Sequence, residues 1–197
     1  MKYQIVKGDL IKFALKGYFD VITHGCNCFC TMGSGIAVPM AKTFDCNLFP
    51  LEERTRIEYF PADKYSDEYE EYEEDTGNYG NIEKLGQIDY EETWVDLRNG
   101  IVGRSYSLPK PDYIHRFFVV NSYTQYSPGS PLPGEFIPLD YCALTLCMKK
   151  INRTFKGKHI GLPKIGAGLA LGDWNKIEDI IKTELRDCDV TVIEYDK

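Results

Sequence analysis

The stretch HGCNCFCTMGSGIA, residues 24–37, holds one of the three histidines and three of the seven cysteines of the 197-residue chain. A glycine pair follows the cysteines and leads into an apolar run. Three kinds of site would use such residues: a metal site, a nucleophilic cysteine, or a glycine loop that holds an anion. Each needs different partners elsewhere in the chain, so the remaining sequence decides between them.

The composition bounds the class of protein. With 197 residues and a formal net charge of −7, the chain is expected to form one acidic domain, 1–197, with a sizeable core. The acidity disfavours broad binding to nucleic acid or anionic membranes, and no apolar run approaches the about 20 residues of a membrane span. An odd number of cysteines without a secretion signal predicts reduced thiols and a cytoplasmic location.

Strand and helix patterns alternate at both ends of the chain. The predicted strands are 3–6, 20–24, 117–121, 159–163 and 190–195, and the predicted helices are 36–44, 139–155 and 174–188, the last with Asp173 as its N-cap. The middle is more β-like, with a strand at 85–95, a turn at Asn99-Gly100 and a return strand at 101–107. We therefore expect a mixed α/β fold with an insertion at about 61–110, whose acidic run at 63–75 is a solvated excursion.

The rest of the sequence offers no convincing partner residues for a metal site or for a nucleophilic cysteine. His24 and the three cysteines that follow it are spaced by two residues, whereas structural zinc usually needs pairs two to four residues apart and a distant second pair. The distant pair at hand, Cys142 and Cys147, lies in a helical pattern. A cysteine nucleophile needs a lowered thiol pKa and a nearby base, and nothing selects one of the three thiols. We expect neither a metal nor a cofactor.

The glycine-loop interpretation has a counterpart later in the chain. Residues 32–37 (MGSGIA) and 164–169 (KIGAGL) each follow a predicted buried strand. Glycine lets the backbone approach a ligand, and successive N–H groups at a helix start bind anions. Two such loops predict a clamp on a diphosphate. Asp9, after the first strand, could accept from a purine amine, and Asn27, after the second, could bind a ribose hydroxyl.

These motifs, in this order, resemble those of the macro domain family of ADP-ribose-binding proteins. The family's KGD turn, its strand ending in asparagine, its GxGIA loop and its late P-x-I-G-x-G loop match residues 7–9, 23–27, 33–37 and 163–168. The resemblance covers roughly residues 3–60 and 115–197. It implies a three-layer α/β/α macro domain with a mixed central sheet and an acidic insertion.

The resemblance also implies a ligand site for ADP-ribose. It places Asp9 at the adenine amine, Asn27 at the distal ribose and the two glycine loops around the diphosphate. The residues expected to bind the ligand are Asp9, Leu10, Asn27, Gly33, Ser34, Gly35, Ile36, Ala37, Ile165, Gly166, Ala167, Gly168 and Leu169.

Residues 24–27 (HGCN) resemble more closely the branch that includes the yeast ADP-ribose 1″-phosphate phosphatase. A histidine at this position is linked to catalysis there, so His24 is expected to shuttle a proton while the terminal phosphate is released. The expected partner is ADP-ribose or its 1″-phosphate, with ADP-ribosylated macromolecules as further partners and no membrane.

Two sequence differences from related branches leave alternative functions open. The terminal ADP-ribose protein glycohydrolases use a lysine at the end of the central strand, where this chain reads Asn121-Ser122-Tyr123-Thr124, and in some members a late-loop aspartate that is also absent. Ala170 replaces the aromatic that many macro domains place after the late loop, so Tyr123, Tyr126 or a tyrosine of the insertion would have to substitute. The alternatives are an ADP-ribosyl hydrolase acting on protein or nucleic acid, and a binding module without turnover.

Overall fold

A seven-stranded mixed sheet organises the chain. The computed structural model describes residues 2–49, 80–104, 111–128 and 137–195. The strands are β1 (Tyr3–Gly8), β2 (Val21–Asn27), β3 (Ile88–Asp96), β4 (Val102–Gly103), β5 (Ile114–Gln125), β6 (His159–Pro163) and β7 (Asp189–Tyr195). In the sheet order β1-β7-β6-β2-β5-β3-β4, the first five strands are parallel, and β3 runs antiparallel to both β5 and β4. The predicted mixed sheet is confirmed.

In the described ranges, four α-helices connect these strands: α1 (Leu10–Leu15), α2 (Ala37–Phe44), α3 (Tyr141–Thr154) and α4 (Trp174–Glu184). Aspartate side chains accept backbone N–H bonds at the starts of three of them, from Asp9, Asp140 and Asp173. The prediction of Asp173 as an N-cap is confirmed. In contrast, α2 begins without a side-chain cap. Among the residues described, no helix is both long enough and apolar enough to cross a membrane.

Two hydrophobic cores lie on opposite faces of the sheet. Successive side chains of a strand point to opposite faces, and the strands separate accordingly. Val21 and Val120 pack with α3 and α4, whereas their neighbours Ile22 and Val119 pack with α1 and α2. The architecture is therefore the expected three-layer α/β/α arrangement, and the parallel strands bring their carboxyl ends to one edge.

Several predicted ends were wrong. The central strand was predicted at 117–121 but is the twelve-residue β5, because buried polar side chains continue it beyond the apolar run. One of them, the Ser122 hydroxyl, lies 2.8 Å from the Thr23 hydroxyl. Helix α4 ends at Glu184 rather than at 188, since Leu185 caps it and a turn follows. Helix α3 begins after its cap Asp140, not at 139.

Part of the predicted insertion belongs to the sheet. Strands β3 and β4 extend it by two strands and are joined by the predicted turn at Asn99-Gly100. Asp96 donates its backbone N–H to the Ile101 carbonyl, and Gly100 has a φ of +73°. Of the return strand predicted at 101–107, Val102–Gly103 is a strand, and residues 105–107 lie outside the described ranges. The acidic run 63–75 also lies outside them.

Candidate functional site

A cleft of about 560 Å³ lies at the carboxyl ends of β2, β5 and β6. Ligands of open α/β sheets bind at this edge, and the volume lies within the range usual for small-molecule sites. The lining comes from three segments that lie far apart in the sequence. They are residues 25–27 and 30–37, residues 124, 125 and 128, and residues 163–166 and 168–170.

The first glycine loop, 33–37, lies entirely along this cleft. Gly35 has a φ of +57°, which favours glycine over any residue with a Cβ. The loop runs directly into α2, whose first turn has no side-chain cap. Backbone N–H groups at such a helix start lack intrahelical partners and carry partial positive charge. The loop can therefore bind an anion with its backbone.

The second glycine loop, 165–169, lies opposite. Gly166 has a φ of +74°, and a Cβ there would approach the Leu139 side chain to 2.9 Å. Leu169 reaches across to the first loop, with its Cδ1 3.8 Å from the position a Cβ on Gly35 would take. Of the five residues predicted here, four line the cleft, and Ala167 instead packs against the core beneath α3 and α4.

Asn27 lines the cleft where β2 ends, but its amide is largely engaged. Its Oδ1 accepts from the Phe29 N–H and from the N–H and hydroxyl of Thr31, and its Nδ2 donates to the Thr31 carbonyl. The side chain thereby shapes the cysteine-containing loop. An amide nitrogen has two N–H groups, so one remains to donate toward a ligand hydroxyl.

Asp9 and Leu10 are not part of the cleft. Asp9 caps α1 through Oδ1, which accepts from the N–H groups of Ile11 and Lys12 at 2.9 and 3.1 Å. It lines a separate hollow of about 280 Å³, the Asp9 hollow, at the ends of β1 and β7. The Leu10 side chain is buried in the core. Because β1 and β7 are parallel to β6 and β2, the hollow and the cleft share one edge of the sheet.

His24 is completely buried and does not line the cleft. Asn121 donates Nδ2–H to the Cys46 carbonyl at 2.8 Å, which orients its Oδ1 to accept from His24 Nε2 at 2.9 Å. Burial lowers the pKa of His24 to about 4, and the bond to Asn121 opposes that shift only in part. The imidazole is therefore neutral at pH 7. Among its side-chain contacts is Cys26, a cleft residue whose Sγ lies 3.6 Å from Nε2.

The cysteines around this histidine are buried thiols. Burial raises the pKa of Cys28 to about 11 and of Cys46 to about 12, and it raises that of Cys26 well above its usual value. Protonated thiols are poor nucleophiles. Nowhere in the described ranges do three His, Cys, Asp or Glu side chains come together so as to hold a metal ion. The raised thiol pKa values therefore do not favour a cysteine nucleophile in residues 24–37.

Sequence reasoning missed several residues of the site. Thr31, Thr124, Gln125 and Lys164 line the cleft. That the end of β5 belongs to the cleft follows only from the sheet order, which places β5 beside β2. Lys164 directly precedes the second glycine loop, and this position in the motif could have indicated that it lines the cleft. The aromatic substitute suggested at Tyr123 was wrong, since that ring is buried and its hydroxyl donates to Asp89 in the core.

The comparisons with known proteins agree with this architecture. No family model matches the chain. An uncharacterized protein of Enterobacteria phage T4, from the tk-vs intergenic region, is 28% identical over 200 residues, which is all of this chain and 98% of that protein. A protein of unknown function from Bacteroides thetaiotaomicron has a similar structure, with a TM-score of 0.60, 22% identity and 98% of each chain covered.

Two further solved structures identify the fold. The macrodomain of Mycobacterium tuberculosis DarG is similar with a TM-score of 0.53 and 17% identity, covering 97% of this chain and 96% of that one. Thermosipho africanus DarTG in complex with ADP-ribose is similar with a TM-score of 0.58 and 14% identity, covering 98% of this chain and 42% of that one. The chain has the macrodomain fold.

Proposed function

We propose that the protein binds ADP-ribose in the cleft, with the diphosphate held between the two glycine loops. The observation that supports this most directly is the approach of Leu169 to Gly35, because it brings both loops to one small volume. Backbone N–H groups of such loops bind anions without a charged side chain. The similar structure of DarTG was solved with ADP-ribose, which also supports the proposal.

The adenosine half of the ligand would then extend toward the Asp9 hollow. Asp9 uses Oδ1 to cap α1, and a carboxylate offers further lone pairs on its second oxygen. That oxygen could accept from the exocyclic amine of adenine. Asn27, where β2 ends, would donate its remaining N–H to the distal ribose. The ligand would thus span two cavities on one edge of the sheet.

We further propose that the bound 1″-phosphate is released by water. Phosphoryl transfer needs positioning and donors to the phosphoryl oxygens more than covalent chemistry from the protein. Ser34, Thr31 and Asn27 supply polar groups along the cleft. His24 has no surface of its own there, so in this proposal it acts through Cys26 and Asn121 as a positioning residue, not by contact with the phosphate.

Product analysis tests the function. The protein is incubated with ADP-ribose 1″-phosphate, with ADP-ribosylated protein and with ADP-ribosylated DNA, with and without EDTA, while free phosphate and free ADP-ribose are measured. We expect phosphate from the first substrate, unaffected by EDTA. Release of ADP-ribose from protein or DNA alone would replace the phosphatase by an ADP-ribosyl hydrolase. Binding without either product would leave a binding module.

A further inference from the structure

One charged side chain lines the cleft within the described part of the chain, that of Lys164 at the end of β6. The remaining lining residues are neutral, and most of them are glycine, apolar or hydroxyl-bearing. A ligand that carries two phosphate charges thus meets a single formal positive charge. This asymmetry gives Lys164 a larger electrostatic effect on an anion than any other described residue of the cleft.

A carboxylate currently engages this lysine. Lys164 Nζ donates to Glu194 Oε1 at 2.5 Å, and the ammonium lies 5.4 Å from the centre of the Trp174 ring. The hydrogen bond and the positive charge of Lys164 lower the pKa of Glu194. Both side chains stay partly exposed, at 35% for Lys164 and 40% for Glu194. Exposed pairs of this kind contribute little to stability, so the fold does not require this contact.

The pair lies at one side of the cleft. Lys164 follows Pro163 at the end of β6 and lines the cleft. Glu194 is on β7, the strand beside β6, and by alternation its side chain shares the face of Val192, toward α3 and α4. A phosphate held between the glycine loops would therefore lie near Lys164. The four-carbon stem of a lysine allows its ammonium to move between neighbouring acceptors.

We propose that Lys164 exchanges Glu194 for a phosphate oxygen of the bound ligand and thereby selects nucleoside diphosphates over uncharged nucleosides. This inference rests on the proposed binding of ADP-ribose. Glu194 opposes binding, because it holds the lysine in the free protein and adds a negative charge near the phosphates. The two members of the ion pair therefore have effects of opposite sign on affinity.

Titration calorimetry with ADP-ribose and with ADP tests the exchange in two variants. Lys164→Met keeps the apolar stem beside Trp174 but removes the charge, and we expect affinity to fall about 10- to 100-fold for both ligands, as for a lost charge-assisted hydrogen bond. Glu194→Gln frees the lysine, and we expect affinity to rise about 2- to 5-fold. The wild-type affinity should also fall with added salt more steeply than that of Lys164→Met.

Lys182→Met is the matched control. Lys182 also pairs with a glutamate, Glu178, at 3.0 Å and lies 4.7 Å from an aromatic ring, that of Tyr3, but it is on α4 away from the cleft. We expect the Lys182→Met variant to bind ADP-ribose and ADP with the same affinity as the wild type. If the wild type and Lys164→Met bind ADP-ribose and ADP with equal affinity, the proposed exchange is wrong while the proposed function stands. If the wild type binds neither ligand, the proposed function fails as well.

Discussion

Residues 24–30 and 31–37 are adjacent in the chain but lie in different environments. In the first segment, the side chains of His24, Cys26, Cys28 and Cys30 are at most 6% exposed. In the second segment, every residue lines the cleft and none is buried, whereas of the first segment Gly25, Cys26, Asn27 and Cys30 also line it. The side chains with reactive chemistry therefore belong to the core, and the residues that offer mainly backbone groups face the ligand site.

Desolvation explains the inertness of the buried segment. The pKa of His24 falls to about 4 and that of Cys28 rises to about 11, so both groups are neutral at pH 7. The exposed segment has a positive φ at Gly35 and a helix start without a side-chain cap, so its proposed function depends on backbone conformation instead. Substitutions in each segment test this division.

The largest effect is expected for His24→Ala. The substitution leaves a cavity and removes a donor from the buried Oδ1 of Asn121, so the free energy of unfolding should fall by about 2–4 kcal/mol. ADP-ribose affinity of the folded variant should change less than about threefold. Denaturant titration and calorimetry measure the two quantities. His159→Ala, at a half-buried histidine bonded to Thr191, serves as the control and should cost about 1 kcal/mol.

The rate of phosphate release tests the positioning role proposed for His24. If the folded His24→Ala variant binds ADP-ribose normally but releases phosphate from ADP-ribose 1″-phosphate at least about 100-fold more slowly, the positioning role is supported. That result would join the buried segment to the chemistry of the cleft. Equal rates in variant and wild type would confine His24 to the core.

The pH dependence of the free energy of unfolding should reflect the titration of His24. The folded pKa of His24, about 4, lies below the ordinary value of 6.5. The unfolded state therefore takes up the proton first as the pH falls, and stability declines between pH 6.5 and about 4. The integrated loss is about 3 kcal/mol. Unfolding measured across this range should show the loss in the wild type and not in His24→Ala; parallel curves would contradict the assignment.

For the exposed segment we expect Gly35→Val to lower ADP-ribose affinity at least about 100-fold. A β-branched residue disfavours the φ of +57° and adds bulk on the side of Leu169. Gly157→Val is the matched control, since Gly157 has a φ of +79°, open space around it and no place in the cleft. Both variants should lose about 1–2 kcal/mol of stability, but only the first should lose binding.

The smallest effect is expected at the Asp9 hollow. Asp9→Ala removes the N-cap of α1 and should cost about 1 kcal/mol of stability, with ADP-ribose affinity about tenfold lower. Asp173→Ala removes the cap of α4 outside both cavities and should cost the same stability without any loss of affinity. Equal affinities of the two variants would remove the hollow from the ligand site.

Local sequence patterns were sufficient to predict the α/β class and the two glycine loops. Apolar runs such as 159–163 and 190–195 predict buried strands whatever surrounds them. Glycine in a loop after a strand predicts a local backbone conformation that other residues disfavour. Chain-local signals of this kind need no knowledge of the partner strand. The ends of β5 and α4 were wrong because burial of polar residues and the start of a turn depend on neighbours that the pattern does not contain.

Tertiary structure alone decided which residues share a surface. The order of strands places Thr124 and Gln125 beside Asn27, and it puts β7 between β1, which Asp9 follows, and β6, whose end lines the cleft. Strand β2 lies inside the sheet between β6 and β5 and is covered on both faces, which buries His24, whereas the loop beyond the strand lines the cleft. Side-chain chemistry can be read from a sequence, but desolvation depends on the packing of distant segments, and it sets the protonation of His24 and of the thiols around it.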